Sequence, residues 1–220
     1  MSLICKGVYL IRAGLTICYL VEGNEGLALI DTGMHGNERA ILNTIKRIRE
    51  KPSDLKLILL THGHTDHAGN IVLLRQVTGA KVGIHALDRP YVTGEKKARI
   101  PTARNIRGKF LKAKFLFRFL LHPMNNFHPD FLLEDGMDLE PLGLPVIVIH
   151  TPGHTKGSVS IYLKDRRAVF IGDLAKGKGG KLTELPWAEN WEQLRESLRR
   201  VLELRCHFIC PSHGEVVEMG

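Results

Sequence analysis

The segment from Thr61 to His67 constrains this chain most, because three histidines and one aspartate lie within six residues. It follows the apolar run from Leu55 to Leu60, which predicts a buried strand, and it precedes Ala68 to Val77, which predicts a helix. A rigid scaffold often presents catalytic side chains on such a loop. Two imidazoles separated by one residue can close on one metal ion, which leaves the following carboxylate and imidazole for a second ion. These four side chains are His62, His64, Asp66 and His67.

Four more candidate residues also follow short apolar runs. They are Asp31, His154, Asp173 and His213, and the runs before them are 27–30, 146–149, 168–172 and 206–210. Runs of this length and composition predict buried strands. The pattern therefore places all the candidate side chains along one edge of a sheet sandwich.

The order of these motifs resembles the metallo-β-lactamase superfamily of metallohydrolases over nearly the whole chain. The motifs Thr-Pro-Gly-His-Thr-x-Gly-Ser around His154 and Gly-Asp at Asp173 are most similar to those of the glyoxalase II-like branch. The resemblance implies an α/β fold, a four-layered αβ/βα sandwich, in a single domain over residues 1–220. It also implies a dinuclear metal centre. One ion would be held by His62, His64 and His154, the second by Asp66, His67 and His213, with Asp173 bridging the two and Asp31 behind a ligand histidine.

The donor types suit a metal-dependent hydrolase. Imidazole and carboxylate groups favour Zn²⁺ or Fe²⁺ over Ca²⁺, and we expect two zinc ions per chain, with iron or manganese as alternatives. Two ions about 3.5 Å apart can share a hydroxide that forms near neutral pH. We expect this metal-bridging hydroxide to cleave an ester, thioester or lactone of a small molecule; an anionic substrate and broad promiscuity stay open. Asp66 is expected to handle a proton. Asp31 is expected to accept the remaining N–H of a ligand histidine, and a purely turn-forming aspartate is the alternative.

Departures from the family leave other functions open. Only seven residues follow His213, so we do not expect the helical domain with which true glyoxalase II binds glutathione. A persulfide dioxygenase with a single iron on His62, His154 and Asp173 is one alternative. A phosphodiesterase or ribonuclease that uses a basic insert is another, and a non-catalytic zinc-binding module is a third.

Positive charge is concentrated in one segment. The chain has 31 Lys and Arg residues and 23 Asp and Glu residues, and residues 89–118 hold ten of the former and one of the latter. We predict a basic, partly helical insert at about residues 89–127. It is interpreted as a lid with solvated charges, or as a pocket wall in which Lys112, Lys114 and Arg118 attract an anionic substrate. A surface for nucleic acid or for an acidic membrane is a less favoured interpretation.

Outside the motifs, the sequence predicts ordinary elements and a cytoplasmic location. The predicted strands are 3–11, 15–22 and 27–31, the predicted helices are 37–50 and 191–204, and a flexible Gly-Lys loop is expected around Lys176, Lys178 and Lys181. The N-terminus lacks the pattern of a signal peptide, and no apolar run reaches the ~20 residues of a transmembrane helix. The four cysteines show no Cys-x-x-Cys spacing and are expected to be reduced, although pairing of Cys206 with Cys210 stays open.

Overall fold

A computed structural model describes residues 1–97, 102–103 and 125–219. Within these residues, seven strands form one sheet and five form a second. In spatial order the first sheet contains β1 (Ser2–Cys5), β2 (Val8–Ala13), β3 (Thr16–Glu22), β4 (Leu27–Ile30), β5 (Leu55–Leu59), β6 (Lys81–His85) and β8 (Phe131–Leu133). The second sheet contains β16 (Val217–Glu218), β15 (Phe208–Pro211), β11 (Ala168–Gly172), β10 (Val159–Leu163) and β9 (Val146–His150).

Two small ladders and five helices complete the described part. The ladders pair β12 (Lys176–Lys178) with β13 (Lys181–Thr183), and β7 (Thr102–Ala103) with β14 (Trp187–Ala188). The helices are α1 (Glu38–Arg47), α2 (Thr65–Ala68), α3 (Ile71–Thr78), α4 (Arg89–Val92) and α5 (Trp191–Leu202). Single 3₁₀ turns lie at Pro52–Asp54 and Glu140–Leu142.

The two sheets pack face to face, and helices cover their outer faces. Side chains alternate along β3: Tyr19 points into the apolar cluster between the sheets, whereas Leu20 points into the cluster that includes Ile41 and Ile45 of α1. On the other side, Leu194 of α5 packs in a third cluster with apolar residues of β11. Both faces of each central strand are therefore buried, as expected for strands covered on both sides. This is the predicted four-layered sandwich.

Strand direction explains why the candidate residues meet at one edge. Strands β4, β5 and β6 run parallel to one another. In the second sheet, β9 and β11 are both antiparallel to β10, and β15 is parallel to β11. Within each sheet the carboxyl ends of these strands therefore lie at one edge, the contact between His64 and His154 brings the two edges together, and each of the six strands is followed by a polar loop.

Several predicted boundaries were wrong for local reasons. The strand predicted over 3–11 is divided into β1 and β2, because Gly7 turns the chain with a φ of +69°. The helix predicted to begin at Ala68 is two helices, α2 and α3, separated at Gly69 and Asn70. The expected Gly-Lys loop is the hairpin of β12 and β13, and Gly177 in it packs so closely on the backbone of Glu215 that a Cβ would lie 1.8 Å from the Glu215 carbonyl oxygen.

The remaining predictions of organisation have different outcomes. All four cysteines are free thiols, and no helix among the described residues is long and apolar enough to cross a membrane. The single domain with an insert at about residues 89–127 stays a prediction. Lys112, Lys114, Arg118 and the helix expected around them lie outside the described residues.

Candidate metal centre

Three histidines from the two sheets converge at the common edge. His62 and His64 follow β5, and His154 follows β9. The Nε2 atoms of His62 and His154 each lie 3.0 Å from Nδ1 of His64. His62 and His154 are fully buried, whereas His64 is partly exposed. We call these residues the three-histidine cluster; their nitrogens lie close enough together to hold one metal ion.

A second group lies beside it and contains Asp66, His67 and His213. Oδ2 of Asp66 is 3.7 Å from Nε2 of His67 and 3.7 Å from Nε2 of His213. Asp66 and His67 come from the first turn of α2, and His213 comes from the loop after β15. We call this group the carboxylate cluster, and its three donors also lie close enough together to hold one ion.

Asp173 directs one carboxylate oxygen toward each cluster. Its Oδ2 lies 3.3 Å from Nε2 of His154. Its Oδ1 lies 3.3 Å from Nε2 of His67 and 3.2 Å from Nε2 of His213. The structure thus brings together all seven residues that the sequence proposed as ligands, and Asp173 lies between the two groups.

The hydrogen bonds on the far side of the rings fix which nitrogen carries the proton. Nδ1 of His154 faces the carbonyl oxygen of Trp187 at 3.3 Å, and Nδ1 of His213 faces that of Leu15 at 3.1 Å. A carbonyl oxygen only accepts, so each Nδ1 carries a hydrogen. Nδ1 of His67 likewise donates to Oδ2 of Asp31 at 2.8 Å. In the neutral rings, all three Nε2 atoms therefore direct lone pairs toward Asp173.

This convergence of lone pairs is the test of whether the site fits a cation. Nε2 of His67 and Oδ1 of Asp173 are buried and have no hydrogen-bond partner, although they lie 3.3 Å apart. Buried polar atoms are otherwise almost always paired. Electron-rich atoms that face each other in a buried site require positive charge between them. The residues present fit a divalent metal centre.

A comparison of the sequence with known families identifies the same type of site. The family model of the metallo-β-lactamase superfamily matches residues 11–213. The chain belongs to the metallo-β-lactamase superfamily. Members of this superfamily bind divalent metal ions, often two.

Curated relatives in the superfamily are named as hydrolases. The probable metallo-hydrolase YflN of Bacillus subtilis is 34% identical over 172 residues, which are 76% of this chain and 64% of YflN. Hydroxyacylglutathione hydrolase GloC of Haemophilus influenzae is 29% identical, with 92% of this chain and 87% of GloC covered. The chain thus spans slightly less than two thirds of YflN and most of GloC. These names agree with the predicted glyoxalase II-like resemblance and with a metal-dependent hydrolase.

Solved structures in the superfamily confirm the predicted fold. A family protein from Thermus thermophilus, TTHA1429, superposes with a TM-score of 0.73 at 23% identity, covering 98% of this chain and 76% of that protein. TTHA1623, solved in a di-iron-bound form, gives a TM-score of 0.70 at 29% identity, covering 94% of this chain and 92% of TTHA1623.

Asp31 lies behind the two clusters and contacts residues of both. Its φ of +59° turns the carboxylate into the interior, where it is completely buried. Oδ2 accepts hydrogen bonds from His67, from Oγ1 of Thr61 at 2.8 Å and from Oγ of Ser212 at 3.1 Å, while Oδ1 accepts from the backbone N–H of Thr61 at 2.8 Å. Oγ1 of Thr61 also lies 3.1 Å from Nδ1 of His62. One carboxylate therefore contacts a histidine of the carboxylate cluster directly and one of the three-histidine cluster through Thr61.

Electrostatics differ between the two clusters. Burial lowers the pKa of His154 to about 3. The pKa of His62 is held well below its usual value, mainly by burial and secondly by the positive charge that His67 can carry. Burial acts in the same direction on His67, but the carboxylates of Asp31 and Asp173 outweigh it and raise the pKa of His67 well above its usual value. The pKa of His213 is raised in the same way, against its burial, by Asp173. Positive charge is thus favoured most strongly in the carboxylate cluster.

Close backbone packing fixes the loop that carries His154. Gly153 has a φ of +135°, and a Cβ there would lie 2.3 Å from the backbone nitrogen of Leu194 in α5. The carbonyl of Gly153 accepts the backbone N–H of Asn190, and the carbonyl of His154 accepts that of Glu189. The glycine before His154 is therefore required for α5 to pack against this loop.

The hydrogen-bond partners of the candidate ligands were not predicted from the sequence motifs. The carbonyls of Leu15 and Trp187 carry no sequence signal, because every residue has one. Thr61 and Ser212 each adjoin a predicted ligand, which was the available signal. A further aspartate, Asp88, follows β6 at the same edge and was also missed.

Proposed function

We propose that this chain is a dinuclear metal-dependent hydrolase that cleaves an ester, thioester or lactone of a small molecule. His62, His64 and His154 would hold one ion, Asp66, His67 and His213 the other, and Asp173 would contact both. The observation that carries the proposal is the buried, unpaired face-to-face arrangement of Nε2 of His67 and Oδ1 of Asp173. Positive charge is needed between these atoms; the raised pKa values of His67 and His213 allow protons to supply it in the metal-free chain, and a metal ion would displace those protons.

Two divalent ions held there would supply hydroxide near neutral pH and polarise the scissile carbonyl. The side chains of this chain orient the centre. Asp31 holds His67 in the tautomer that leaves Nε2 free, and Thr61 lets the same carboxylate act on His62. Asp66 is the proposed proton acceptor. Its Oδ2 lies within 3.4 Å of the Thr16 hydroxyl, which limits the rotation of the carboxylate.

Zinc is the proposed metal, with iron or manganese as alternatives, and the di-iron form of TTHA1623 supports testing iron directly. A thioester is the first substrate class to test, because GloC is named as a hydroxyacylglutathione hydrolase. A mononuclear iron dioxygenase is less well supported, because the second group of three donors is fully assembled. Attraction of anionic substrates by Lys112, Lys114 and Arg118 stays a proposal based on the sequence, as does the cytoplasmic location.

The test is the metal content per chain, measured by elemental analysis on the same sample as ester, thioester, lactone and phosphodiester turnover. We expect two equivalents of metal and turnover that a chelator removes. His62→Ala and Asp173→Ala should each abolish turnover, whereas His207→Ala, at an exposed site elsewhere, should not. One iron per chain with oxygen uptake on a persulfide, or full turnover by Asp173→Ala, would overturn the proposal.

A further inference from the structure

Asp88 is a buried carboxylate that belongs to neither cluster. It lies between β6 and α4, and only 1% of its surface is exposed. No motif of the sequence includes it. A buried carboxylate is costly unless donors compensate its charge, so its partners indicate its role.

Those partners belong to the two loops that carry the three-histidine cluster. Oδ2 of Asp88 accepts the backbone N–H of Gly63 at 2.9 Å and the hydroxyl of Thr155 at 2.8 Å. Oδ1 accepts the backbone N–H of Gly157 at 2.9 Å. Gly63 stands between His62 and His64, and Thr155 directly follows His154. The loops come from different sheets, so one carboxylate ties the two sheets together next to the cluster.

The backbone around Asp88 is shaped for this contact. A Cβ on Gly157 would lie 2.5 Å from Oδ1 of Asp88, so a larger residue there would push the carboxylate away. Thr155 is fixed further by Ser158, whose Oγ accepts the backbone N–H of Thr155 at 3.0 Å. The Thr155 donor is therefore itself held in place, and the close contact at Gly157 leaves little room for the carboxylate to shift.

We propose that Asp88 is a positioning residue that sets the distance between His154 and the pair His62 and His64, and thereby tunes metal affinity at the three-histidine cluster. The inference rests on the proposed function, because it assumes that a metal ion binds at the three-histidine cluster. The carboxylate cluster does not use this contact, since His67 is held by Asp31 and His213 by the Leu15 carbonyl. Loss of Asp88 should therefore affect one metal site selectively.

The test is stepwise titration of the chelator-treated protein with Co²⁺, whose absorption spectrum responds to the donor set: three imidazoles and the Asp173 carboxylate at the three-histidine cluster, and two imidazoles and two carboxylates at the carboxylate cluster. In Asp88→Asn the amide keeps the size of the side chain, but its NH₂ group must face either the donors Gly63 and Thr155 or the donor Gly157, and it cannot accept a hydrogen bond from them. We expect about tenfold weaker binding, or more, at the three-histidine cluster and unchanged binding at the carboxylate cluster. Thr155→Val removes one of the three donors and should shift affinity in the same direction by less, whereas Thr155→Ser should retain wild-type affinity.

Asp130→Asn is the matched control. Asp130 accepts the backbone N–H of Val82 and pairs with Arg75, so it joins chain segments near the other end of β6. A merely structural role for Asp88 would lower the melting temperature of the chelated protein, as in this control, and leave both Co²⁺ affinities unchanged. That result, or equal weakening at both clusters, would overturn the inference. If Asp88→Asn does not fold, the Thr155→Val and Thr155→Ser pair decides. Failure of the wild-type chain to bind two ions would instead contradict the proposed function.

Discussion

Replacing Asp31 with asparagine should weaken metal binding at the carboxylate cluster, because no orientation of an amide satisfies the donors around it. If the amide nitrogen faces His67, Nδ1 of that ring loses its acceptor and the ring proton moves to Nε2, the atom that must bind the ion. If it faces Thr61, two N–H groups oppose each other. Asparagine, like aspartate, tolerates a positive φ, so the substitution tests the charge and the acceptor rather than the turn.

The magnitude follows from the lost contact. A hydrogen bond to a charged group is worth roughly 1.5–3 kcal/mol, and about 1.4 kcal/mol corresponds to a factor of ten. We therefore expect a dissociation constant roughly 10- to 100-fold higher for the ion at the carboxylate cluster, which agrees with the range seen when partners of metal ligands are removed. The assay is competition with a chelator of known affinity, combined with turnover on the best substrate.

The comparison variant is Asp138→Asn, which changes an exposed carboxylate that pairs with Lys164. It should leave both metal affinities unchanged. Circular dichroism of the chelated proteins shows whether each variant folds. A folded Asp31→Asn protein that keeps wild-type affinity for two ions would refute the reasoning, and Asp31 would then serve only the turn.

Two further predictions concern pH and charge. Because His67 and His213 have raised pKa values, an ion must displace protons there as the pH falls, whereas His62 and His154 are already neutral. Affinity at the carboxylate cluster should therefore drop more steeply as the pH falls, and calorimetric titration with proton counting measures this; equal slopes at both clusters would contradict it. Joint neutralisation of Lys112, Lys114 and Arg118 should raise KM for anionic substrates and not for neutral ones. Kinetics of this triple variant that equal those of the wild type on substrates of every charge class would rule out an anion pocket.

The strands before the candidate ligands were predictable because their signals are local. The runs before His62, His154 and Asp173 are short, apolar and bounded by polar or glycine residues, and each forms a buried strand with nearly the predicted bounds. Their meeting at one edge was predicted from the position of each residue directly after a strand, and it depends on β9, β11 and β15 running in the same direction.

The supporting contacts could not be predicted, because they join residues far apart in the chain through groups without a pattern. The carbonyl of Leu15 meets His213 across 198 positions, and Asp88 reaches Gly157 across 69. Asp88 did carry one usable signal, since it follows an apolar strand as Asp31 and Asp173 do. The sequence therefore indicates Asp88 as a candidate residue at this edge of the sheet, but it does not predict the three hydrogen-bond donors of its carboxylate.

The division of donors between the sheets gives metal binding a second consequence. The first sheet supplies His62, His64, Asp66 and His67, and the second supplies His154, Asp173 and His213. Each cluster therefore takes donors from both sheets, so an ion in either one links the two layers of the sandwich. Because the donors are brought together only in the folded chain, the free energy of metal binding adds to the stability of the fold. Asp31 and Asp88 act at this same junction without a metal: Asp31 joins Thr61 to Ser212, and Asp88 joins Gly63 to Gly157. These two carboxylates fix the loops of the two sheets relative to each other, so the proposed ions would meet a site that is already close to its binding geometry.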